Sequence, residues 1–296
     1  MKKTTTLLAL ALMAGAMVSC NNDDAPLASN DKVAVQLTGG INVTTRAANA
    51  NWTAGDKICI YMTNANGGLT DNSISEDVNN VAYQTDGGNA FAPVSGGKTI
   101  YFPIAGDVDF YAYYPLTTVS DYKVALNVAD QSNQEAIDFM YAKTTGCNKA
   151  TPQVTLGFNH QLSNLVFEIQ PGDGLTQEDL ARLTIKVKDQ NTTATYNLAN
   201  GTISGEGSPA DVTMQTTTAG KHYEAILLPT TERSRVIEFD LNNGYDAPFA
   251  WTMNTDLKAG NKYHYTTVKL SRTAVEVSGT IQPWNEHEDS NEHIAM

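Results

Sequence analysis

The sequence predicts an all-β protein. Short runs rich in Val, Ile, Thr, Tyr and Phe recur along the chain, each bounded by Gly, Pro, Asn or Asp, at the close spacing typical of a β-sandwich. A single short helical window, residues 176–182, opens on a capping pattern of Thr176 and Asp179. Alternating βαβ units are absent from the pattern, so we do not expect a parallel sheet with a nucleotide crevice.

The composition supports the all-β class and limits the kinds of partner that we expect. The chain has 296 residues, of which 41% are hydrophobic, enough for two domains that each have a packed core. The formal net charge of −13 comes from 19 Lys and Arg against 32 Asp and Glu, so nucleic acid is not an expected partner. Only 17% of residues are charged, which suits a secreted β-rich protein.

The first residues predict export and a lipid anchor. Lys2 and Lys3 precede an apolar stretch, residues 7–18, that is too short to span a membrane as a helix. Small residues then lead to Cys20, a pattern that resembles a bacterial lipobox. We therefore expect a signal peptide over residues 1–19 and acyl chains, palmitate among them, on Cys20. The alternative is an ordinary secretory signal followed by an incidental cysteine.

A terminal strand follows the polar tether of residues 20–32. Residues 33–46 form two short strand-like runs broken by Gly39 and Gly40, and alternation directs Val33, Val35 and Leu37 to one side and Gln36 to the other. The stretch ends on Arg46, the only arginine before Arg182. A strand at a chain terminus that ends on an isolated basic residue is a candidate for proteolytic removal or exchange.

The remaining strands divide into two domains. We place the boundary in the linker-like residues 144–152, which gives a first β-sandwich over residues 33–150 and a second over residues 151–296. A polar loop is expected at residues 63–80. In chain order, the strand-like runs begin at residues 57, 81, 98, 108 and 122 in the first half, and at residues 154, 164, 183, 194, 223, 236, 249 and 262 in the second. Residues 137–142 are again apolar.

The C-terminal part of the second domain contains one more strand and a tail. Residues 274–284 alternate imperfectly, with apolar Val275, Val277 and Ile281, and end at Trp284. Residues 285–296 are acidic, and His287 and His293 lie among their glutamates. Weak binding of a divalent metal there is one interpretation, but a solvated acidic tail is favoured because nothing around it would fix a coordination geometry.

Motifs for catalysis are absent from the sequence. It contains no Gly-x-Ser-x-Gly elbow, no His-Glu-x-x-His and no Walker loop. The paired carboxylates at Asp107 and Asp109, and at Glu178 and Asp179, are best explained as solvated surface. His160 and His264 are expected to be packing or sheet-face residues. We predict no enzyme activity and no cofactor.

Other residue types leave alternatives open. Cys59 and Cys147 either form one disulfide or stay as two buried thiols. Four tyrosines are candidates for an aromatic carbohydrate platform, although packing explains them at least as well. These residues are Tyr61, Tyr111, Tyr113 and Tyr114. Together with the polar loop they motivate a rival function, a monomeric surface lipoprotein that binds glycans.

Several phrases coincide in order and spacing with a known family. These are TTRAANANWTAGDKICIYM from residue 44, TIYFPIAGDVDFYAYYP from 99, IDFMYA from 137, VTLGFNHQLSNLVFEI from 154 and TIQPW from 280. Together they resemble the fimbrillin family of Bacteroides-type bacteria, the Mfa-like or FimA-like anchored pilins. The resemblance implies two tandem transthyretin-like Greek-key β-sandwich domains and a lipoprotein on the surface of the outer membrane. It also implies assembly into an adhesive fimbria (pilus).

The resemblance further implies how assembly would proceed. In stalk members of that family, a trypsin-like protease cuts after an arginine just past the first strand, and the C-terminal strand of another subunit fills the vacated groove by donor-strand exchange. Here the bond would be Arg46–Ala47, and the donor strand would present Val275, Val277, Ile281 and Trp284. The implied partners are other fimbrial subunits, the protease, the outer membrane through the lipid, and host or bacterial surface ligands.

Two alternatives to this scheme remain open. Arg46 is then an ordinary basic residue in a loop, and residues 274–284 are the last strand of the second sandwich itself. In that case the protein would be an anchor, tip or accessory subunit that does not polymerise.

Overall fold

The computed structural model describes residues 32–42, 51–272 and 274–284, which form eighteen β-strands. The strands of the first part are β1 Gln36–Ile41, β2 Lys57–Asn64, β3 Val81–Thr85, β4 Ala90–Pro93, β5 Val108–Tyr114, β6 Val119–Ser120, β7 Lys123–Asn127, β8 Met140–Cys147 and β9 Gln153–His160. The others are β10 Ser163–Pro171, β11 Thr184–Asn197, β12 Thr202–Thr213, β13 Gln215–Thr218, β14 His222–Leu227, β15 Ser234–Asp240, β16 Phe249–Asn254, β17 Asn261–Leu270 and β18 Val275–Pro283.

The predicted all-β class is confirmed. Within the described ranges the helical elements are three single turns of 3-10 helix, at Asp71–Ser73, Gln134–Ala136 and Asp179–Arg182. The last of these corresponds to the helical window of the sequence. There the Asp179 carboxylate accepts hydrogen bonds from the backbone N–H and the hydroxyl of Thr176, at 2.7 and 2.8 Å.

One sheet has seven strands and closes on itself in the order β1–β4–β3–β2–β5–β8–β9. We call it the closed sheet. Its inward side chains come from alternate strand positions, such as Ile58, Ile60 and Met62 on β2, as the two-residue period of a strand requires. They form a first core that contains Phe91, Phe110 and Phe158 as well. Burial of these apolar groups is the main stabilising contribution to this part of the fold.

The remaining strands form a sandwich of two sheets. One is five-stranded, in the order β13–β14–β10–β17–β18, with β10 parallel to β17. The other runs β16–β15–β11–β7–β6, and β12 pairs with β11 beside that path. The second core lies between these sheets and contains Phe167, Phe239 and Tyr223, all fully buried.

A third apolar cluster joins the closed sheet to the sandwich. It contains the outward side chains of β2 and β5, including Tyr61, Tyr111 and Tyr113, and these meet Val124 and Leu126 of β7 and residues of β11 such as Tyr196. As a result β5 is buried on both faces along its whole length. Val108, Phe110, Ala112 and Tyr114 of β5 lie in the first core, and Tyr111 and Tyr113 on its other face lie in the third cluster, so both faces meet protein.

Two features of the chain differ from the sequence interpretation. The proposed boundary between residues 150 and 151 falls inside the closed sheet, because β9 completes that sheet next to β1 and its Val154, Leu156 and Phe158 lie in the first core. The hairpin of β6 and β7 precedes that boundary, yet β7 pairs with β11 of the sandwich. The linker-like residues 144–152 are therefore the last part of β8, residues 144–147, and the loop of residues 148–152 that leads to β9.

The break predicted at Gly39 and Gly40 is also absent, since β1 continues through both glycines as one strand paired with β9. The predicted orientation is confirmed: Val35 and Leu37 are buried and Gln36 is exposed.

We predict that the third cluster makes the closed sheet and the sandwich unfold together. Tyr196 is 1% exposed, and its hydroxyl lies 3.1 Å from Gln161 Oε1. Tyr196→Ala should lower the free energy of unfolding by about 3 to 5 kcal/mol because it leaves a large cavity. Tyr196→Phe keeps the ring and should cost about 1 kcal/mol. Urea unfolding followed by circular dichroism measures both, and equal losses in the two variants would contradict a packing role.

Candidate functional site

The predicted functional residues fall into two groups. Cys20, Arg46 and Ala47 lie outside the described residues. The terminal-strand residues Val275, Val277, Ile281 and Trp284 are described and lie in or directly after β18. We call the strands and core side chains that contact β1 the seat of β1. This seat and the position of β18 are therefore the two parts of the candidate site that the structure describes.

Backbone pairing holds β1 unequally on its two sides. Six residues, Gln36–Ile41, pair in parallel with residues 153–158 of β9. On the other side Leu37 and Thr38 pair with β4, in antiparallel register, and Gly39 N–H donates to Asn89 O at 2.8 Å. The residues before β1 are held by a different segment, because Val35 N–H donates to Ile100 O at 3.0 Å and Phe102 N–H donates to Val33 O at 2.9 Å. The ladder with β9 is thus the longer one, and β1 has backbone partners on both sides.

The side chains of β1 complete the first core. Val35 is 7% exposed and Leu37 is 3% exposed, both packed in the first core. Gly39 lies so close to two aromatic rings that a Cβ atom there would be 2.8 Å from Phe91 Cε2 and 3.2 Å from Phe158 Cε2. Gly40 has open space at the same position, since nothing lies within 4 Å of its Cβ site. Only Gly39 is required by close approach.

Trp52, which follows β1 in the sequence, holds the centre of that strand in place. Its indole N–H donates to Gly39 O at 2.8 Å, and its ring packs edge-on against Phe91, Tyr114 and Phe158 at centroid distances of 5.2, 5.4 and 5.2 Å. These geometries are the favoured ones for aromatic pairs. The sequence marks Trp52 only as the start of a turn. Its bond to β1 has no local signal, because its acceptor is a backbone carbonyl.

An opening in the wall of the closed sheet lies beside β1. Past Leu37 and Phe91 the strands β1 and β4 separate and leave a cleft of about 630 Å³. Its lining is largely apolar and includes Val35, Leu37, Tyr83 and Pro93. Since β4 ends at Pro93, which has no backbone N–H, the ladder between β1 and β4 cannot extend past that residue.

The C-terminal strand β18 occupies the edge of its own five-stranded sheet. It pairs antiparallel with β17 from Asn261 with Pro283 to Leu270 with Val275. Val275, Val277 and Ile281 are half-buried and pack against the second core. In the described chain this segment is therefore the last strand of its own sandwich, which is one of the two roles that the sequence left open. Pro283 sits at its end.

Trp284, directly after β18, is buried against the end of β9. Its ring stacks on His160 with a centroid distance of 3.7 Å and an interplanar angle of 9°, and it is 5% exposed. His160 Nδ1 lies 2.8 Å from Asp138 Oδ1, with both side chains buried. His160 is thus a packing histidine, as expected. His264 lies on the sheet face beside Glu168, at 3.3 Å.

The tyrosines do not form a carbohydrate platform. Their exposed fractions are 2% for Tyr61, 1% for Tyr111, 0% for Tyr113 and 9% for Tyr114. Burial raises the pKa of Tyr113 far above its ordinary value, and the neighbouring Cys59 adds to the shift. A sugar ring stacks only on an exposed aromatic face, so the platform hypothesis is wrong for these residues.

The cysteines, metal donors and helices give three further findings. Cys59 and Cys147 are free thiols, and burial raises the pKa of each, which disfavours the reactive thiolate. Among the described residues no group of three or more His, Cys, Asp or Glu side chains could hold a metal ion. His287 and His293 lie outside that part of the chain. The described residues also include no helix long and apolar enough to cross a membrane.

Comparison with known proteins agrees with the arrangement of these sheets. Residues 45–284 match the family described as fimbrillin-like. A candidate fimbrium subunit of Bacteroides uniformis, Fim1C, is 35% identical over 295 residues, which cover 94% of this chain and 93% of that protein. These matches extend over both the closed sheet and the sandwich.

Solved structures give the same result for the fold. A candidate cell adhesion protein of Bacteroides uniformis is 31% identical, with a TM-score of 0.74, and the match covers 87% of this chain and 99% of that one. The tip fimbrial protein Mfa3 of Porphyromonas gingivalis, in a C-terminally truncated form, has a TM-score of 0.54 at 11% identity. That match covers 84% of this chain and 99% of that one, and it shows a shared fold alone.

We predict that Gly39, unlike its neighbour, is required for the seat of β1. Gly39→Val drives a side chain into Phe91 and Phe158 and should lower the free energy of unfolding by about 1 to 3 kcal/mol. Gly40→Val is the matched control on the same strand and should change stability by no more than about 0.5 kcal/mol. Chemical denaturation of both variants measures the difference. Equal losses would mean that backbone entropy, and not the packing of β1, dominates.

Proposed function

The chain belongs to the fimbrillin-like family, and from this premise we propose that it is a structural subunit of a cell-surface fimbria. The family is one of fimbrial and cell adhesion proteins and not of enzymes. In the proposed scheme the subunit is exported as a lipoprotein, loses its first strand after Arg46, and is joined to other subunits by donor-strand exchange. The fimbria then supports adhesion to host or bacterial surfaces.

The observation that carries this proposal is the position of β1, which pairs with β9 and β4 and fills part of the first core. Without β1, residues 153–158 of β9 would lose the parallel strand that pairs with them, and the positions of Val35 and Leu37 in the first core would become empty. Unpaired N–H and C=O groups beside exposed apolar side chains form an edge that accepts a new strand. A strand from another subunit would restore both the hydrogen bonds and the packing.

The position of Arg46 suits release of this strand. In the sequence it lies between the end of β1 at Ile41 and Trp52, whose indole N–H donates to Gly39 O. Cleavage between Arg46 and Ala47 would separate β1 from Trp52 and from the rest of the fold. The released piece would include Cys20 and would stay with the membrane.

The proposed lipid anchor places the subunit at the outer membrane before assembly. Residues 20–32 would act as a tether between the acylated Cys20 and the seat of β1. Several acyl chains, each contributing about 0.8 kcal/mol per buried methylene, give durable anchoring. The trypsin-like protease would thus act on a subunit already displayed on the cell surface.

A second candidate function is favoured by the position of β18. Because β18 pairs with β17 along its length and ends at the buried Trp284, the protein is suited to act as an anchor, tip or accessory adhesin that does not donate a strand. Such a subunit could still accept a strand in the seat of β1. The glycan-binding rival loses its motivation from the tyrosines, because they are buried.

We predict that cleavage after Arg46 controls assembly. Trypsin treatment of the folded precursor should yield a new N-terminus at Ala47 and ladders of oligomers in mild detergent. Arg46→Ala should abolish both, whereas Arg46→Lys keeps a trypsin-sensitive bond and serves as the matched control. N-terminal sequencing and gel electrophoresis provide the measurements. Normal polymerisation of the Arg46→Ala precursor would refute the protease switch.

We also predict that Cys20 carries the lipid. Cys20→Ser should lose the incorporation of a palmitate analogue during growth and should leave the membrane fraction, because the acyl chains provide the anchoring energy. Cys147→Ser is the control for a general effect of removing a thiol and should retain label and location. Labelling of the Cys20→Ser variant at the level of the unmodified protein would rule out this site.

A further inference from the structure

We propose that a cleft in the sandwich binds an extended segment of a partner protein through a lysine or arginine side chain. The cleft lies at the end of the sandwich where β15 and β17 begin. Its volume is about 520 Å³, within the range of roughly 300–1,000 Å³ that ligand pockets have. We call it the acidic cleft. It is lined by residues 189–191 of β11, Glu206 of β12, residues 227–232 from the end of β14, and residues 256–259 before β17.

The acidic cleft lies at a break along one edge of β11. The first edge of β11 pairs with β12, from Lys186 to Asn197. Since β15 pairs with residues 184–187 and β7 pairs with residues 193–197, these two strands share the second edge end to end. In the described chain no strand pairs with residues 188–191 on that edge, and the break is about 13 Å long at about 3.3 Å per residue. An unpaired edge of this kind accepts an extended segment.

A buried arginine holds the walls of the acidic cleft in fixed positions. Arg235 is 3% exposed, and its three guanidinium nitrogens donate to three different segments. Nε donates to Gln190 Oε1 at 3.4 Å, and Nη2 donates to Glu232 O at 2.6 Å. Nη1 donates to Thr255 O, directly before residues 256–259. Because these bonds join three walls in the unliganded chain, little ordering is required when a ligand binds.

Carboxylates dominate the charge of the lining. Asp189, Glu206, Glu232 and Asp256 are negative, and Lys258 is the one positive side chain of the lining. Within the described residues none of the four carboxylates takes part in a salt bridge. The buried guanidinium beneath them offsets one further charge. The remaining negative charge is concentrated in a cleft, and such clefts attract ligands of the opposite sign.

These observations identify the occupant by its chemistry. The unpaired edge of β11 fits the backbone of an extended segment, and the carboxylates fit an ammonium or guanidinium group on it. Residues 275–283 contain no lysine or arginine, so the C-terminal strand of this chain is not the occupant. A second copy of the chain is disfavoured by its net charge of −13. The partner is therefore a different protein with a basic extended segment, and its binding does not depend on cleavage after Arg46.

Peptide binding to the full-length, uncleaved monomer tests the proposal. The probe is the blocked peptide Thr-Val-Lys-Val-Thr, and its matched control has norleucine in place of lysine. Isothermal titration calorimetry at low ionic strength should show about tenfold tighter binding of the lysine peptide, and added salt should reduce this difference because it screens exposed charges. Nα-acetyl-lysinamide keeps the ammonium group but lacks the flanking backbone, so it should bind about tenfold more weakly than the lysine peptide.

Substitutions in the cleft localise the binding. Asp189→Asn and Glu232→Gln together remove two negative charges, and asparagine tolerates the positive φ of 53° at position 189. This double variant should bind the lysine peptide about three- to tenfold more weakly. Glu135→Gln with Glu178→Gln is the matched control, because it removes the same charge from exposed positions outside the cleft and should leave binding unchanged. If the double variant does not fold, Glu206→Gln on the exposed β12 provides the same comparison.

Four results would overturn the proposal. These are no binding of the lysine peptide at about millimolar concentration, equal affinity for the lysine and norleucine peptides, equal affinity for the lysine peptide and Nα-acetyl-lysinamide, and equal binding by the cleft variant and its matched control. The test is separable from that of the fimbrial function. A monomer that binds the lysine peptide but never assembles after cleavage would contradict the fimbrial function alone, whereas a subunit that assembles without binding the peptide would contradict this proposal alone.

Discussion

The parallel pairing of β1 with β9 is the interaction on which the closed sheet depends. It joins residues 36–41 to residues 153–158, far apart in the chain, and is the longer of the two ladders of the first strand. The close approach of Gly39 to Phe91 and Phe158 and the bond from Trp52 to Gly39 O add side-chain packing at its centre. On its other side β1 pairs with β4 at Leu37 and Thr38 and bonds to Asn89 O through Gly39 N–H, so β1 closes the sheet between β9 and β4.

Local pattern predicts the strands of this fold but not how they meet. The alternation of Val35, Gln36 and Leu37 predicts which side of β1 is buried, because a two-residue period depends only on the strand itself. The alternation in β5 likewise separates two faces. The alternation does not show that Tyr111 and Tyr113 lie in a junction between sheets. An aromatic residue gives the same sequence signal in a core, a junction or a binding surface.

Long-range pairing explains the misplaced boundary and the missed contacts. Residues 144–152 have the composition of a linker, but they comprise the end of β8 and the loop that leads to β9. Only the pairing of β9 with β1 reveals that they do not separate two domains. The contact of Trp284 with His160 joins residues with no shared motif, so no sequence signal indicates it. The glycine pair shows the same limit, because only the neighbouring rings distinguish Gly39 from Gly40.

Covalent connection gives a physical reason why one cut would change which strand fills the seat. An intact β1 is tethered to the fold through residues 43–50, and tethering over a short linker gives an effective concentration of about millimolar order. A strand from a separate subunit has to compete with that value, even when its packing is better. After the proposed cleavage at Arg46 the first strand would have only its own affinity, which rests on the ladders with β9 and β4. In the proposed scheme a donor from a neighbouring subunit would then need only modestly better contacts with β4 and β9 to replace it, and the lipid would hold the released strand away from the growing fibre.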